Sequence, residues 1–180
     1  MKYLNQVLLI VAIAFSTAVL AYDNGVNLVQ NSNFSIGLPV NWTRDAFKYS
    51  DNLFSWDQNS KQVRVSVPAG SPNDARWVQT VPVEANTDYV LSGYIRTKDV
   101  EHSTEIVQAG ANLSILDDLP GTGFFTFSEP LFGNHGWTYR ELRFNTGSNT
   151  QIRIALRVGM FAGTATGTAW FRSIKLNKAP

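Results

Sequence analysis

Apolar and polar side chains alternate with a period of two along most of the chain after residue 61. The alternation is clearest in 62–67, 89–96, 107–115 and 151–158, where apolar residues take every second position. A β-strand places successive side chains on opposite faces, so each run predicts a strand with one apolar and one more polar face. No segment after the first 21 residues has the 3.6-residue period of an amphipathic helix.

Short segments rich in turn-forming residues separate these runs, at 68–72, 84–88, 145–149 and 163–167. Clusters of Gly, Pro, Asn, Asp and Ser favour turns. Many short strands at this spacing predict one all-β domain, built as a sandwich or a barrel. The sequence contains no internal repeat and no linker, so a single domain is the simplest interpretation.

Residues 116–136 interrupt the alternation. This segment is rich in Gly, Pro and Asp but also contains three Phe residues between 124 and 127, and Phe132. A connection this long is usually functional or disordered, and the aromatic content argues against disorder. We expect the segment either to pack over an edge of the domain or to border a binding surface, and packing is the favoured alternative.

The first 21 residues have the features of a secretory signal peptide. Lys2 precedes an apolar run at 7–15, and small residues end the segment at Ala21. The run is short for a membrane span, which is the alternative interpretation. The sequence therefore predicts a secreted protein, extracellular or periplasmic, with one domain in residues 22–180.

Charge and cysteine content narrow the partners and the chemistry. The chain has 15 basic and 14 acidic residues, and removal of Lys2 with the signal peptide leaves 14 of each. A balanced charge without basic runs makes nucleic acid and anionic membranes poor partner hypotheses. The chain has no cysteine, which excludes thiol catalysis and Cys-based zinc sites.

Four motifs, in order along nearly all of residues 22–180, resemble a known family. They are 27–34 (NLVQNSNF) followed by Gly37 and Trp42, a central hairpin formed by 77–83 (WVQTVPV) and 86–96 (NTDYVLSGYIR), then 136–138 (GWT) and 167–171 (GTAWF). This pattern resembles carbohydrate-binding jelly-roll modules with a galactose-binding-domain-like fold, which bind cellulose, xylan or β-glucan. The resemblance implies a β-sandwich jelly roll of two antiparallel sheets, with 26–34 and 167–177 as its first and last strands.

The same resemblance raises the question of a structural calcium. Many such modules bind calcium with an acidic residue after the opening Phe and an Asp after the closing Trp-Phe. Here those positions hold Ser35 and Arg172-Ser173. Calcium prefers several oxygen ligands with carboxylates among them. We therefore expect the calcium to be absent or weak, and we predict no other cofactor.

Tyr94 and Arg96 are the sharpest candidates for sugar binding. They lie two residues apart, so they share the polar face of one strand. Aromatic rings can stack on sugar rings, and planar polar groups can bind hydroxyls. The alternative is a solvated outer face on which Tyr94 contributes only β-propensity.

Further candidates lie on neighbouring strands and in loops. Gln108 and Asn112 share one polar face, where they either bind sugar hydroxyls or form an ordinary solvent-exposed surface. Arg153 and Arg157 share another, where they either favour a uronic or sulfated glycan or form salt bridges with acids such as Glu141. Trp56 and Trp77 are the candidate aromatic platforms, with burial as the alternative for each.

The other tryptophans are assigned by their positions in the motifs. Trp42 and Trp170 match family landmarks, so we expect both in the core. Trp137 has the opposite parity to the apolar residues that follow it in its run. A β-bulge, an edge position or exposure would each explain this.

Catalysis has little support in the sequence. The chain has only two histidines, both in turn-like segments, and no nucleophile elbow. Adjacent Asp117 and Asp118 are more typical of a turn than of a catalytic pair. We predict a secreted, non-catalytic protein that binds a polysaccharide or oligosaccharide. The alternatives are a structural or adhesive protein with other secreted proteins as partners, and a small polysaccharide lyase or hydrolase.

Overall fold

The computed structural model of the protein describes residues 25–37, 39–103, 108–161 and 163–180. The predicted signal peptide, residues 1–21, lies outside the described residues. The described residues form one 3₁₀ turn, Asp51–Leu53, and ten strands. The strands are β1 (Thr43–Ala46), β2 (Phe54–Asp57), β3 (Gln62–Val67), β4 (Ala75–Pro82), β5 (Asp88–His102), β6 (Ala111–Ile115), β7 (Thr126–Phe127), β8 (Gly133–Asn145), β9 (Gln151–Val158) and β10 (Ala165–Lys178).

The strands form two antiparallel sheets of five strands each. Sheet A has the order β1-β4-β9-β6-β7, and sheet B has the order β2-β3-β10-β5-β8. This arrangement confirms the predicted β-sandwich jelly roll of two antiparallel sheets. No helix in the described part of the chain is long and apolar enough to cross a membrane.

The core lies between the sheets and is built from every second residue of the strands. In β3, Val63, Val65 and Val67 are buried while the residues between them are half-exposed, as the alternation predicts. Strand β9 differs, because it is buried on both faces from Ile154 to Val158. Of the run at 107–115, which the structure describes from Gln108 onward, only Ala111–Ile115 form a strand.

The opening segment is not a strand, although its sequence predicts one. Asn31 and Phe34 have φ values of 46° and 54°, which bend the chain into turns instead of an extended strand. The segment nevertheless runs beside β10, where the Leu28 amide donates to the Leu176 carbonyl at 3.0 Å. The closing segment 167–177 is a strand, within β10.

The segment between β6 and β8 combines both predicted roles. Leu119 and Leu131 are buried in the core, and Phe127 pairs with Ser114 at the edge of sheet A. Phe124 and Phe125 remain exposed. Part of the segment therefore packs over the sandwich, and the part with Phe124 and Phe125 borders a cleft over sheet A.

Candidate functional site

A cleft of about 430 Å³ lies on the outer face of sheet A, opposite the core. Its floor carries Arg76 from β4 and Arg153 and Arg157 from β9. Arg76 points outward because its neighbours Ala75 and Trp77 are both buried in the core. Arg153 and Arg157 lie four residues apart on one strand, so they share this outer face.

Three phenylalanines line the rim of the cleft. Phe124 and Phe125 are 61% and 55% exposed, and Phe161, which follows β9 in the sequence, is 82% exposed. Apolar rings gathered in this way around a concave surface are typical of ligand-binding sites. Met160 and Leu116 also line the cleft.

Asp74 fixes the arginines at one end of the cleft. This carboxylate is 2% exposed and accepts two hydrogen bonds from Arg157, of 2.8 and 2.6 Å. It also accepts from Arg76 Nη1 at 2.6 Å and from the backbone amide of Phe161 at 2.9 Å. The buried carboxylate thus joins two floor residues to the rim.

The charge state of Asp74 follows from these contacts. Burial alone would raise its pKa, because a low-dielectric environment disfavours the charged form. The hydrogen bonds and positive charges of Arg157 and Arg76, with the Phe161 amide, outweigh burial and hold the pKa below its ordinary value. Asp74 therefore stays ionised at neutral pH.

The remaining charges of the cleft are also paired. Arg76 Nε donates to Asp45 Oδ2 at 2.8 Å, and Arg153 Nε donates to Asp117 Oδ1 at 2.9 Å. The three floor arginines are therefore matched by Asp45, Asp74 and Asp117. Arg153 and Arg157 form salt bridges, which is one of the two predicted alternatives, but with aspartates and not with Glu141.

Several predicted ligand residues are not available at a surface. Trp77 is 4% exposed, packs edge-on against Phe54 and donates its indole N–H to the Arg64 carbonyl at 3.1 Å. Trp56 is half-buried against the core and donates to the Phe34 carbonyl at 2.9 Å. Since the first is enclosed and the second faces inward, neither forms an exposed platform.

The polar residues predicted to bind a ligand lie in different parts of the structure. Asn112 is fully buried on β6, where it donates to the Gly110 carbonyl at 3.1 Å and accepts from Ser114. Arg157 is buried at the base of the cleft, bound to Asp74. Gln108 is exposed but lies before β6, outside the strand. The predicted residues thus do not form a single site.

Tyr94 and Arg96 lie on the outer face of sheet B, on the far side of the sandwich from the cleft. Arg96 Cζ lies 4.3 Å from the ring centroid of Trp170 and 5.2 Å from that of Trp137. Arg172 Cζ lies 4.1 Å from the Trp137 ring and 5.8 Å from the Tyr94 ring. We call these five residues the aromatic–arginine face.

Trp170 and Trp137 both belong to the aromatic–arginine face. Trp170 was expected in the core, but it is half-buried on the outer face of sheet B. Its neighbours Ala169 and Phe171 are both buried in the core, so the alternation of side chains along the strand directs Trp170 outward. The same alternation in the sequence predicts this outward position. Trp137 lies on the edge strand β8 beside a register shift between Ile95 and Thr97 of β5, which explains its parity. Trp42 is in the core, 5.4 Å from the Phe34 ring.

The residues at the calcium positions implied by the resemblance fit that ion poorly. Ser35 donates its hydroxyl to Asn33 Oδ1 at 2.7 Å, so these oxygens already bind each other. Arg172 directs its guanidinium to the aromatic–arginine face. Within the described ranges, no group of three or more His, Cys, Asp or Glu side chains is placed to hold a metal.

No protein-family model and no curated protein matches this sequence. Among solved structures, a carbohydrate-binding module of family 61 in complex with β-1,4-galactotriose is 16% identical, with a TM-score of 0.58 over 86% of this chain and 99% of that one. A family 4 carbohydrate-binding module is 11% identical, with a TM-score of 0.55 over 83% of this chain and 99% of that one.

A third match is the enzymatically active domain of tailspike protein 4 of bacteriophage CBA120. It is 15% identical, with a TM-score of 0.55 over 85% of this chain. The present chain spans only 21% of the length of the tailspike chain. At such identities the likeness concerns the fold. The chain has the β-sandwich fold of carbohydrate-binding jelly-roll modules.

Proposed function

We propose that the protein is a secreted, non-catalytic module that binds a polysaccharide or oligosaccharide in the cleft over sheet A. The observation that carries this proposal is the ring of exposed Phe124, Phe125 and Phe161 around a floor of fixed guanidinium groups. Sugars present both apolar C–H faces and hydroxyl groups, so their recognition needs both kinds of surface.

The phenylalanines supply the apolar contacts. The apolar face of a pyranose ring packs against an aromatic ring, and burial of both surfaces favours the complex. The cleft volume lies within the range for small-molecule sites, and the cleft is open at its rim. A glycan chain can therefore place one or two sugar units in the cleft while the rest extends into solvent.

The arginines supply the polar contacts. Their partners Asp45, Asp74 and Asp117 hold them in place, so little conformational entropy is lost when a ligand binds. Arg153 retains 50% side-chain exposure and Arg76 retains 19%. Their remaining N–H groups can donate to hydroxyl oxygens. Because the floor charges are balanced, the cleft favours a neutral sugar.

The same geometry argues against catalysis by the cleft. A glycosidase needs a carboxylic acid that holds a proton near neutral pH and a second carboxylate across the bond. Asp74 has a lowered pKa and is buried. Asp45 and Asp117 are bound to Arg76 and Arg153. Asp74, the buried carboxylate at the end of the cleft, therefore does not have the environment of a general acid.

The test is binding of neutral glycans to the purified chain, with soluble xylan, β-glucan and β-1,4-galactan as probes in calorimetry and affinity gels. We expect Phe125→Ala combined with Phe161→Ala to raise the Kd of the bound glycan about tenfold, since two stacking contacts are lost. Phe47→Ala is the matched control, because Phe47 is 75% exposed but lies outside the cleft.

Two results would contradict the proposal. Release of products from a bound glycan by the purified chain would indicate a lyase or hydrolase. Failure to bind any neutral glycan, together with concentration-dependent self-association, would favour the structural or adhesive alternative with protein partners.

A further inference from the structure

The outer face of sheet B places arginines and aromatic rings in neighbouring positions across four strands. Arg64 of β3 pairs with Trp170 of β10, and Trp170 pairs with Arg96 of β5. Trp137 of β8 lies beyond Arg96, within 5.2 Å of its guanidinium. Contact with a ring face restricts a guanidinium to a defined plane, so Arg96 and Arg172 are held in place on this face.

These arginines differ from those of the cleft because no acidic side chain in the described part of the chain pairs with them. Among the described residues, Arg64, Arg96 and Arg172 form no ion pair. The Nε–H groups of Arg64 and Arg96 are also buried without a hydrogen-bond partner there. Buried donors are almost always paired in folded proteins, so these two unpaired groups mark the face as a place where the described residues supply no acceptor.

The acids on this face do not offset the three arginines. Glu141 is ion-paired with Arg143 and accepts from the Tyr139 hydroxyl at 3.1 Å. Asp57 accepts from the backbone amides of Asn59 and Ser60, which leave its negative charge in place, so it offsets at most one of the three arginines. The face therefore retains an excess of positive charge in a protein whose overall charge is nearly balanced.

A small recess adjoins the arginines. It has a volume of about 160 Å³ and is lined by Ser55, Asp57, Gln62, Arg64 and Trp170. The recess can accept a compact polar group beside the guanidinium of Arg64, while hydroxyl and amide groups of Ser55 and Gln62 are available for further hydrogen bonds.

We propose that this face is a second binding surface, separate from the cleft, and that it takes an anionic polysaccharide through carboxylate or sulfate groups. Oxyanions accept paired hydrogen bonds from a guanidinium fork. The guanidiniums of Arg96 and Arg172 lie over the rings of Trp170 and Trp137, so these rings are less available for stacking. This disfavours nucleic-acid bases and neutral sugars relative to oxyanions.

The test uses polygalacturonate and its methyl ester as paired probes, with dextran sulfate and dextran as a second pair. We expect the full chain to bind at least one anionic member and to bind the neutral member of that pair at least tenfold more weakly. Arg96→Gln combined with Arg172→Gln should raise the Kd for the anionic probe at least tenfold, because two charge-assisted contacts are lost.

Arg44→Gln and Arg140→Gln, combined in one chain, form the matched control. The double variant removes the same two charges, but each arginine already has a carboxylate partner, Asp51 and Glu129 respectively, and neither belongs to the aromatic–arginine face. We expect its Kd for the anionic probe to change less than threefold. Unfolding midpoints of both double variants distinguish lost binding from lost folding, and Arg64→Gln supplies an independent variant on the same face.

The outcomes separate the two proposed surfaces. Loss of anion binding in the Arg96 and Arg172 variant, with neutral-glycan binding in the cleft unchanged, supports the second surface. Equal affinity for an anionic probe and its neutral partner overturns it, and so does unchanged affinity in the variant. Tighter binding of single-stranded oligo(dT) than of either anionic polysaccharide would assign the face to nucleic acid and overturn the polysaccharide assignment.

Discussion

Asp74 shows how much of the site depends on one residue. Its carboxylate lies between β4 and β9 and binds Arg157, Arg76 and the amide of Phe161. A buried charge of this kind is tolerated only with such partners, since desolvation otherwise drives it to the neutral form. Asp74 therefore links the stability of sheet A to the position of the cleft rim.

We expect Asp74→Asn to lower the free energy of unfolding at neutral pH by about 3–5 kcal/mol, because it leaves the buried Arg157 guanidinium without a charged partner. The control is Asp45→Asn, which removes a half-exposed partner of Arg76 and should cost less than about 1 kcal/mol. Urea unfolding of the three chains measures both effects.

The stabilisation from Asp74 should also depend on pH. A folded-state pKa below the ordinary value of 3.8 gives stability that is present above that value and lost as the pH falls through the lower, folded pKa. The difference in unfolding free energy between wild type and Asp74→Asn should therefore shrink in acid. An undiminished difference at about pH 2 would mean that charge is not the source of the effect.

At the scale of elements, β10 organises sheet B. Its pairing with β5 is interrupted by register shifts between Thr166 and Thr168 and between Arg172 and Lys175. The regular segment between these shifts carries Trp170 and Arg172 to the outer face. Gly167, with a φ of 102°, lies in the first shift, where a β-bulge commonly needs a glycine.

Gly167→Ala should destabilise this part of the sheet. A Cβ at this position would lie 2.3 Å from the Asp99 carbonyl oxygen and 2.6 Å from Val100 Cα. The strained φ and the backbone clash should cost at least about 2 kcal/mol in denaturant unfolding. Gly136→Ala in β8 is the control, since its Cβ would meet nothing within 4 Å and should change stability by less than about 0.5 kcal/mol.

Strand alternation predicted most of the sandwich but only part of the binding surfaces. It correctly placed Tyr94 and Arg96 on a shared outer face, because parity within one strand decides this. It did not predict the burial of Asn112, because the residues around an outward position of β6 come from distant parts of the chain. The alternation also did not predict the cleft, because its rim brings Phe124 and Phe125 together with Phe161, which is distant in the sequence.

At the scale of the whole molecule, the two sheets present different chemistry on opposite sides. The outer face of sheet A carries arginines that are paired with aspartates, and that of sheet B carries arginines that pack on aromatic rings. Both faces arise from the outward positions of strands whose inward positions build one core. Substitutions on one face should therefore leave binding at the other unchanged, because the core between them is rigid and shared.

The sandwich should also hold together without calcium. A metal that binds only the folded state stabilises it by RT ln(1 + [metal]/Kd), which is about 2.7 kcal/mol at 100 times the Kd. Ser35 and Ser173 replace the carboxylates that the resemblance associates with this ion. The Ser35 hydroxyl already donates a hydrogen bond to Asn33 Oδ1, and Gln58 donates to the Ser35 carbonyl at 3.1 Å.

We therefore expect the midpoint of thermal unfolding to differ by less than about 1 °C between buffers with millimolar calcium and with excess chelator. A site with micromolar affinity would instead raise the midpoint by several degrees under the same conditions. Magnesium at the same concentration controls for general salt effects. A midpoint that rises with calcium but not with magnesium, or one tightly retained calcium per chain in elemental analysis, would contradict the prediction.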